Sequence, residues 1–310
     1  MGIRFDDRVV IITGSGGGLG RTYALNFAKL GAKVVVNDPG GSVNGVGGDA
    51  SVADKVVAEI KANGGQAVAS YDSVATEAGA QGIVDTALKA FGRVDSLVNN
   101  AGILRDKTFA KMDMADFESV MQVHFMGSVF CTKAAWPVMK EQKYGRVVFT
   151  TSMAGLVGNF GQANYGSAKT AMIGLMNVLN VEGGKDNIRA NCISPVASET
   201  RMGGSVADPR MQPIMKYMTA EYVSPAVEWL CSEQCDVSGA IVGASGGYFT
   251  AVRFDRSPGV LLPNDTVPSV DDFDAAKAAI FNFDKPVQFT GTMREFVRLM
   301  TEAGRFSMEG

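Results

Sequence analysis

Short runs of apolar residues alternate along the chain with longer segments in which apolar residues recur every three or four positions. Such runs are typical of buried strands, and the longer amphipathic segments are typical of helices. The runs predict strands at residues 9–12, 33–36, 66–70, 96–98, 146–151, 188–193 and 240–243. The amphipathic segments predict helices at residues 21–30, 52–63, 80–91, 114–140, 164–182 and 222–232. Asp113 is placed to cap the longest helix, and Pro137 marks a position where that helix can kink.

This alternation of strands and helices predicts an α/β fold in which helices cover both faces of a parallel sheet. The predicted strands are apolar almost throughout, as expected for strands that are buried on both faces. We therefore expect a doubly wound, Rossmann-type parallel sheet within residues 1–250. After Gly247 the pattern changes to a loop rich in proline and aspartate, followed by predicted helices at residues 271–281 and 293–303. Residues 251–310 are expected to form a C-terminal helical extension that packs on the first domain.

Composition and charge exclude several classes of protein. Hydrophobic residues make up 46% of the chain and charged residues 20%, which is typical of a globular protein with a buried core. The net charge of −3 offers no basic surface for nucleic acid, and no run of about 18 apolar residues predicts a membrane span. Asp6 and Asp7 stand where a secretion signal would be apolar, and the last residues, FSMEG, form no peroxisomal address. We therefore expect a cytoplasmic protein with no nucleic-acid partner.

The cysteines give no sign of a metal site. Cys231 and Cys235 have a spacing that a pair of ligands could use, but the chain contains a single histidine, which is distant in sequence. All four cysteines lie in apolar surroundings, which is typical of small buried side chains in a reducing compartment. No metal is therefore expected.

A glycine-rich segment, TGSGGGLG at residues 13–20, lies between the first predicted strand and the first predicted helix. Glycines in such a turn let backbone N–H groups and a helix N-terminus approach a pyrophosphate. The segment predicts a dinucleotide-binding catalytic domain in residues 1–250, with contacts from Gly14, Gly18, Leu19 and Gly20. Asp38 ends the next strand, where a carboxylate can bind the adenosine ribose hydroxyls and repel the 2′-phosphate of NADP. This favours NAD, with the alternative that Asp38 is only a turn residue.

Tyr165 and Lys169 are four residues apart in a predicted helix, so they lie on one helical face. A nearby ammonium group favours the phenolate and is expected to lower the pKa of Tyr165, which then can exchange a proton with a substrate oxygen. Ser152, at the end of a predicted strand, can bond the same oxygen. A tyrosine and a lysine at this spacing mean little alone, but their order after the glycine turn, Asp38 and the Asn-Asn-Ala-Gly segment is specific.

From residue 5 to about residue 250 these motifs resemble the short-chain dehydrogenase/reductase family. The resemblance implies that Tyr165 is the catalytic acid/base, that Lys169 binds the nicotinamide ribose, and that Ser152 orients the substrate carbonyl. It also implies that Asn99 supports the sheet, and that the cofactor contacts include Asn99, Ala101, Gly102, Tyr165, Asp72, Ser73, Pro195 and Thr200. Val196 follows Pro195 where the family more often has glycine, and the alignment at Thr200 is loose.

His124 stands where many members of the family have an asparagine that completes a tetrad and holds a proton-relay water. A histidine can hold a water or bond a backbone carbonyl, and it can also titrate near neutral pH. Two interpretations stay open at this point. His124 is either a fourth catalytic residue with the relay role, or a residue that only packs in its helix.

Within the family the segments NNAGILRDKTFAKM and NDPGGSVNGVGGD, with the stretch around Tyr165, resemble the dehydrogenase unit of peroxisomal multifunctional enzyme type 2 and related bacterial enzymes. That resemblance implies NAD-dependent oxidation of (3R)-hydroxyacyl-CoA to 3-ketoacyl-CoA. The alternatives are a 17β-hydroxysteroid dehydrogenase or an enzyme acting on CoA esters of steroid side chains. A non-catalytic NAD-binding sensor or scaffold is a more distant alternative, since such proteins usually lack the tyrosine or the lysine. The family also implies a homodimer or homotetramer.

Overall fold

The computed structural model describes residues 2–196, 212–262, 267–289 and 292–302. The chain divides into two compact units, Met1–Val252 and Arg253–Gly310. Among the described residues, no helix combines the length and the apolar character that crossing a membrane would require.

The first unit is built on an eight-stranded sheet with the strand order β3-β2-β1-β4-β5-β6-β7-β8. The strands are β1 Val9–Thr13, β2 Lys33–Asn37, β3 Gln66–Ser70, β4 Ser96–Asn99, β5 Gly145–Thr150, β6 Ile188–Val196, β7 Ile241–Ser245 and β8 Tyr248–Val252. All neighbouring pairs are parallel except β7 and β8, which form an antiparallel pair at the edge of the sheet. The predicted doubly wound α/β fold is confirmed, while the antiparallel β8 was not predicted from the apolar pattern.

Helices cover both faces of this sheet. Their bounds are α1 Gly18–Lys29, α2 Ser51–Ala62, α3 Glu77–Phe91, α4 Met114–Met121, α5 Gly127–Gln142, α6 Met153–Val157, α7 Ala163–Gly183, α8 Gln212–Met215 and α9 Ser224–Cys231. Every residue of β1 is buried, and alternate side chains enter two separate cores. Val10 and Ile12 pack with α1, α2 and α9, whereas Val9 and Ile11 pack with α3, α5 and α7. Because both faces of β1 are buried, its sequence is a continuous apolar run rather than an alternation of apolar and polar residues.

The helix predicted at residues 114–140 is interrupted. A π-helical turn, Gln122–Met126, separates α4 from α5, and α5 continues through Pro137. A π turn widens the helix by one residue and is common at functional sites. The hydroxyl of Ser128 donates to the carbonyl of His124 at 2.6 Å, next to the turn. The amphipathic pattern predicted one continuous helix and did not indicate this break.

The second unit contains β9 Asp255–Arg256 paired antiparallel with β10 Val287–Gln288, and two helices, α10 Val270–Ile280 and α11 Thr292–Glu302. Ser269 and Asp272 form a capping box at the start of α10. The Arg256 guanidinium donates to Glu295 of α11 at 2.5 Å. Both predicted helices are present within one residue of their predicted bounds, whereas the small sheet was not predicted.

Candidate active site

A cleft of about 700 Å³ opens at the carboxyl ends of the parallel strands. It lies where the strand order reverses, with β2 and β3 on one side of β1 and β4 on the other, which is where ligands bind in open α/β sheets. The volume is within the range of roughly 300–1,000 Å³ that is typical of small-molecule sites. The turn after β1 lies at one end of the cleft, and the start of α7 lies at the other.

The turn between β1 and α1 requires glycine for reasons of space. Gly14 has a φ of +64°, and a Cβ there would lie 2.8 Å from the Cα of Ala101. A Cβ on Gly20 would lie 2.4 Å from the carbonyl oxygen of Gly14. Gly14, Gly18 and Leu19 line the cleft, whereas Gly20 lets α1 approach the turn closely. The turn therefore leaves open space above the N-terminus of α1, where a pyrophosphate can bind.

Asp38 is buried at the end of β2 and lines the cleft. Its Oδ2 accepts a hydrogen bond from the N–H of Gly16 at 2.9 Å, and its Oδ1 accepts one from the N–H of Gly40 at 2.7 Å. The carboxylate thus holds together the glycine turn and the loop that follows β2. Asp38 is more than a turn residue, because it contacts a segment 22 residues away in sequence.

The two asparagines after β4 have different positions. Asn99 is buried and donates to Thr132 of α5 at 3.1 Å, so it supports the sheet from the side of the helix. It is not among the residues that line the cleft, so the structure does not support its predicted contact with the cofactor. Asn100 lines the cleft and its amide donates to the carbonyls of Thr13 and Gly14. Asn100 belongs to the predicted Asn-Asn-Ala-Gly segment, but no contact of its own was predicted for it, although the repeated asparagine was a signal. Ala101 and Gly102 line the cleft as the sequence predicted.

The remaining predicted cofactor contacts are spread over the cleft. Ser73, Pro195 and Val196 line it, and so does Val74, which the sequence analysis did not single out. The exposed carboxylate of Asp72 lies beside Gly82 of α3, where a Cβ would be 2.8 Å from its Oδ2. Asp72 is not among the residues that line the cleft. Thr200 lies outside the described residues.

Ser152, Tyr165 and Lys169 all line the end of the cleft opposite to the glycine turn. Ser152 follows β5 and caps α6, where its hydroxyl accepts from the N–H of Ala154 at 3.2 Å. Tyr165 and Lys169 lie one turn apart near the start of α7, with the lysine Nζ 5.4 Å from the centre of the tyrosine ring. The structure therefore brings together the three side chains that the sequence predicted.

The Lys169 side chain is 2% exposed and its Nζ donates to the carbonyl of Thr150 at 2.5 Å. Burial lowers the pKa of this amine from 10.5 to about 7. Burial also raises the pKa of Tyr165, while a hydrogen bond with Ser152 lowers it and the negative charge of Asp106 raises it. For the protein chain alone, the expected lowering of the Tyr165 pKa is therefore wrong, because the cost of burying a phenolate dominates.

His124 is fully buried, and its ring packs edge-on against the ring of Tyr165 with 5.3 Å between centroids. Its Nε2 lies 3.0 Å from the N–H and 2.8 Å from the carbonyl oxygen of Ile103, while no described residue bonds its Nδ1. Burial and the charge of Lys169 hold the pKa of His124 well below 6.5. The expectation that this histidine can titrate near neutral pH is therefore wrong. Its position beside Tyr165 goes beyond simple packing in a helix.

Two further residues near Tyr165 were missed in the sequence analysis. Asn164 is fully buried, donates to the carbonyl of Arg105 at 2.9 Å and accepts from the N–H of Tyr165 at 2.7 Å. Gln162 lines the cleft and donates to Asp106 at 2.7 Å. Both join the start of α7 to the segment after β4. Their partners are more than 50 residues away in sequence, so only their closeness to Tyr165 could have suggested them.

No cluster of three or more potential ligand side chains that could hold a metal occurs in the part of the chain that the structure describes. Cys231 and Cys235 are both buried, and the Cys235 thiol lies 3.4 Å from the carbonyl oxygen of Val237. Burial raises the pKa of both thiols, which disfavours the thiolate that binds a metal.

Comparison with known proteins gives the same family as the motifs. A model described as short chain dehydrogenase matches residues 8–210. A Mycobacterium tuberculosis protein described as a short-chain type dehydrogenase/reductase is 48% identical over 88% of this chain and 94% of its own length. The peroxisomal multifunctional enzyme type 2 of Mus musculus is 48% identical over 86% of this chain, which spans only 35% of that enzyme.

A solved structure of similar fold is that of a 7α-hydroxysteroid dehydrogenase complexed with NADH and 7-oxo glycochenodeoxycholic acid. It is 34% identical with a TM-score of 0.71, and the match covers 79% of this chain and 95% of that one. Together with the family model that covers most of the first unit, these similarities confirm the resemblance drawn from the sequence. The chain belongs to the short-chain dehydrogenase/reductase family and is an oxidoreductase.

Proposed function

We propose that this enzyme uses NAD to oxidise a secondary alcohol, most specifically a (3R)-hydroxyacyl-CoA, to the corresponding ketone. The proposal rests on the arrangement of side chains in one cleft. Ser152, Tyr165 and Lys169 stand at one end of it, and the glycine turn and Asp38 stand at the other. A dinucleotide fits this arrangement because its pyrophosphate needs space beside backbone N–H groups, and because the alcohol oxidised beside its nicotinamide end needs a proton acceptor.

The choice of NAD over NADP depends on Asp38. Its buried carboxylate is held by two backbone N–H groups, so its oxygens have a defined position at the end of β2. A carboxylate at this position can accept hydrogen bonds from ribose hydroxyls, and it repels a 2′-phosphate. The similar hydroxysteroid dehydrogenase whose structure contains NADH supports the same choice.

The catalytic side chains have separate roles in this mechanism. When bound, the nicotinamide supplies the acceptor for the hydride that leaves the carbinol carbon. Tyr165 takes the hydroxyl proton of the substrate at its phenolic oxygen, and the Ser152 hydroxyl hydrogen-bonds the oxygen that becomes the carbonyl. Lys169, with a pKa near 7, exchanges the proton onward from a position beside the tyrosine ring.

His124 contributes to the mechanism as a neutral residue. Its Nε2 hydrogen-bonds the backbone of Ile103, which lines the cleft, and its ring supports one side of Tyr165. Its Nδ1 is buried and has no partner among the described residues, so this atom needs a water or a substrate group. We assign to Nδ1 the water that the tetrad asparagine holds in other members of the family.

The acyl-CoA substrate is proposed from the similarity to the multifunctional enzymes. A 17β-hydroxysteroid, or a CoA ester of a steroid side chain, is the second candidate, and it is favoured by the similar dehydrogenase that was solved with a steroid. The apolar residues Ile103, Leu104, Val123 and Met153 line the cleft and suit either substrate. A homodimer or homotetramer and a cytoplasmic location stay predictions from the sequence.

The experiment that tests the proposal follows NADH absorbance with NAD or NADP and with racemic 3-hydroxyacyl-CoA or a 17β-hydroxysteroid. Fast turnover of the (3R)-acyl-CoA with NAD is expected, and turnover of the steroid alone would move the substrate to the second candidate. Tyr165→Phe should lower turnover by roughly three orders of magnitude while NADH still binds. Near-normal turnover in that variant would exclude Tyr165 as the acid/base, and NADH binding without turnover of any substrate would favour a sensor.

A further inference from the structure

A loop after β2, residues 39–49 with the sequence PGGSVNGVGGD, crosses the dinucleotide end of the cleft. It leaves the sheet at the end of β2 and reaches the segment that follows β4. Since β1 lies between β2 and β4 in the sheet, the loop passes over the carboxyl end of β1 and its glycine turn. We call residues 39–49 the strap. Its cleft-lining residues include Ser42, Val43 and Gly45.

Three contacts attach the strap to the far side of the cleft. The N–H of Leu104 donates to the carbonyl of Val43 at 3.1 Å. The Nε and Nη2 atoms of Arg105 both donate to the carbonyl of Asn44, at 3.2 and 3.1 Å. Gly45 packs over the side chain of Ile103, where a Cβ would lie 3.2 Å from its Cγ2. The strap is thus tied at its middle as well as at both of its ends.

In this set of contacts Arg105 supplies the hydrogen bonds that come from a side chain, and it is anchored at a second point. Its Nη1 donates to the Asp116 carboxylate of α4 at 3.0 Å. The planar guanidinium bonds the strap carbonyl through one edge and the carboxylate through another, in a fixed geometry that the compact ammonium group of a lysine does not provide. The bonds between Ser42, Gly45 and Val46 close a turn within the strap itself.

We propose that Arg105 is a positioning residue that holds the strap as the second wall of the dinucleotide site and thereby slows cofactor release. The inference rests on the proposed function, because it requires a dinucleotide in this cleft. A dinucleotide bound on the glycine turn lies between that turn and the strap. Its adenosine end leaves only after the bonds from Leu104 and Arg105 to the strap have opened. The positive φ of Gly45 and of Gly47, +78° and +81°, lets the backbone itself form this wall.

The test compares Arg105→Ala and Arg105→Lys with wild type and with Arg4→Ala, which removes an exposed ion pair with Asp6 before β1. The rate of NADH dissociation is measured by stopped-flow fluorescence after mixing with excess NAD. We expect Arg105→Ala to release NADH about tenfold faster, with Arg105→Lys in between and Arg4→Ala unchanged. The KM for NAD should rise, and it should change by a larger factor than kcat does. Thermal melting shows whether each variant is folded.

Hydrogen exchange of the Leu104 amide reports on the strap directly, because its partner is the Val43 carbonyl. This amide should exchange more slowly with NADH bound, and faster in Arg105→Ala than in wild type. If wild type binds NADH but Arg105→Ala releases it at the wild-type rate, only the strap proposal is overturned. If wild type binds neither NADH nor NADPH, the proposed function fails and this inference fails with it.

Discussion

The ring of His124 occupies the space that a side chain on Gly102 would need: a Cβ at residue 102 would lie 2.1 Å from the His124 Cε1 atom. The glycine of the Asn-Asn-Ala-Gly segment is therefore matched to the histidine on the π turn. His124 in turn supports Tyr165 and bonds the backbone of Ile103. This contact links the cofactor side of the cleft to its catalytic side.

Gly102→Ala should displace the His124 ring and lower kcat/KM by about two orders of magnitude or more, because Tyr165 loses its neighbour. The measurement is kcat/KM together with the NMR signal of the imidazole, which is unambiguous because His124 is the single histidine. Gly174→Ala is the matched control, since nothing lies within 4 Å of a Cβ there. An unchanged imidazole signal in Gly102→Ala would contradict the steric argument.

His124 should stay neutral across the physiological pH range. Burial and the charge of Lys169 lower the pKa of His124 well below 6.5, so the imidazole is uncharged near neutral pH. Labelled with ¹³C at Cε1, the imidazole should show no titration between about pH 6 and about pH 8. A change to the chemical shift of an imidazolium with a midpoint in this interval would contradict the prediction, whereas a small shift would report the titration of Lys169 nearby.

Asp38→Asn should relax the preference for NAD. The substitution removes the charge that repels a 2′-phosphate, and the ratio of kcat/KM for NAD to that for NADP should fall by about tenfold or more. Asp54→Asn is the control, because Asp54 is on α2, bonds Tyr71 and does not line the cleft. An unchanged ratio in Asp38→Asn would show that specificity is set elsewhere, for example by the strap.

Asp106→Asn should move the pH dependence of alcohol oxidation to lower pH. Oxidation needs the Tyr165 phenolate, so the rate rises with pH as this residue loses its proton. The negative charge of Asp106 raises the pKa of Tyr165, and its removal therefore lowers that pKa. An amide still accepts the hydrogen bond from Gln162, so the geometry is kept. Asp113→Asn, at an exposed carboxylate paired with Lys107, should leave the profile unchanged, and a similar shift in both variants would contradict the prediction.

Lys169→Met should abolish activity and yet raise stability, most strongly at low pH. Burial lowers the pKa of Lys169 from 10.5 to about 7, so below pH 7 the native state holds a buried charge at full cost. Between these values only the unfolded chain keeps the proton, and stability of wild type therefore rises with pH. The gain in unfolding free energy for Lys169→Met should be larger at about pH 6 than at about pH 9 in urea titrations. An equal gain at both pH values would mean that the amine is not titrating between them.

Features encoded by a short stretch of the chain were predictable from its sequence, whereas long-range contacts were not. The glycine turn, the Tyr165 and Lys169 pair and the strands with continuous apolar runs were predicted because a short stretch of sequence encodes each of them. The contacts of Asn100 and Asn164 were not predicted because their hydrogen-bond partners come from other segments. The edge strand β8 was missed because its residues are mostly exposed and carry no buried pattern.

The sequence by itself determined the fold class, the family, and the order of the chemical groups along the chain. Apolar periodicity selects buried strands and helices, and the spacing of Tyr165 and Lys169 places both on one helical face. Only the tertiary structure decided that His124 stays neutral beside Tyr165 and that burial raises the pKa of the phenol. It also decided that Arg105 ties the strap across the cleft. The physical reason is that burial and long-range hydrogen bonds depend on what surrounds a residue in space, which its neighbours in sequence do not specify.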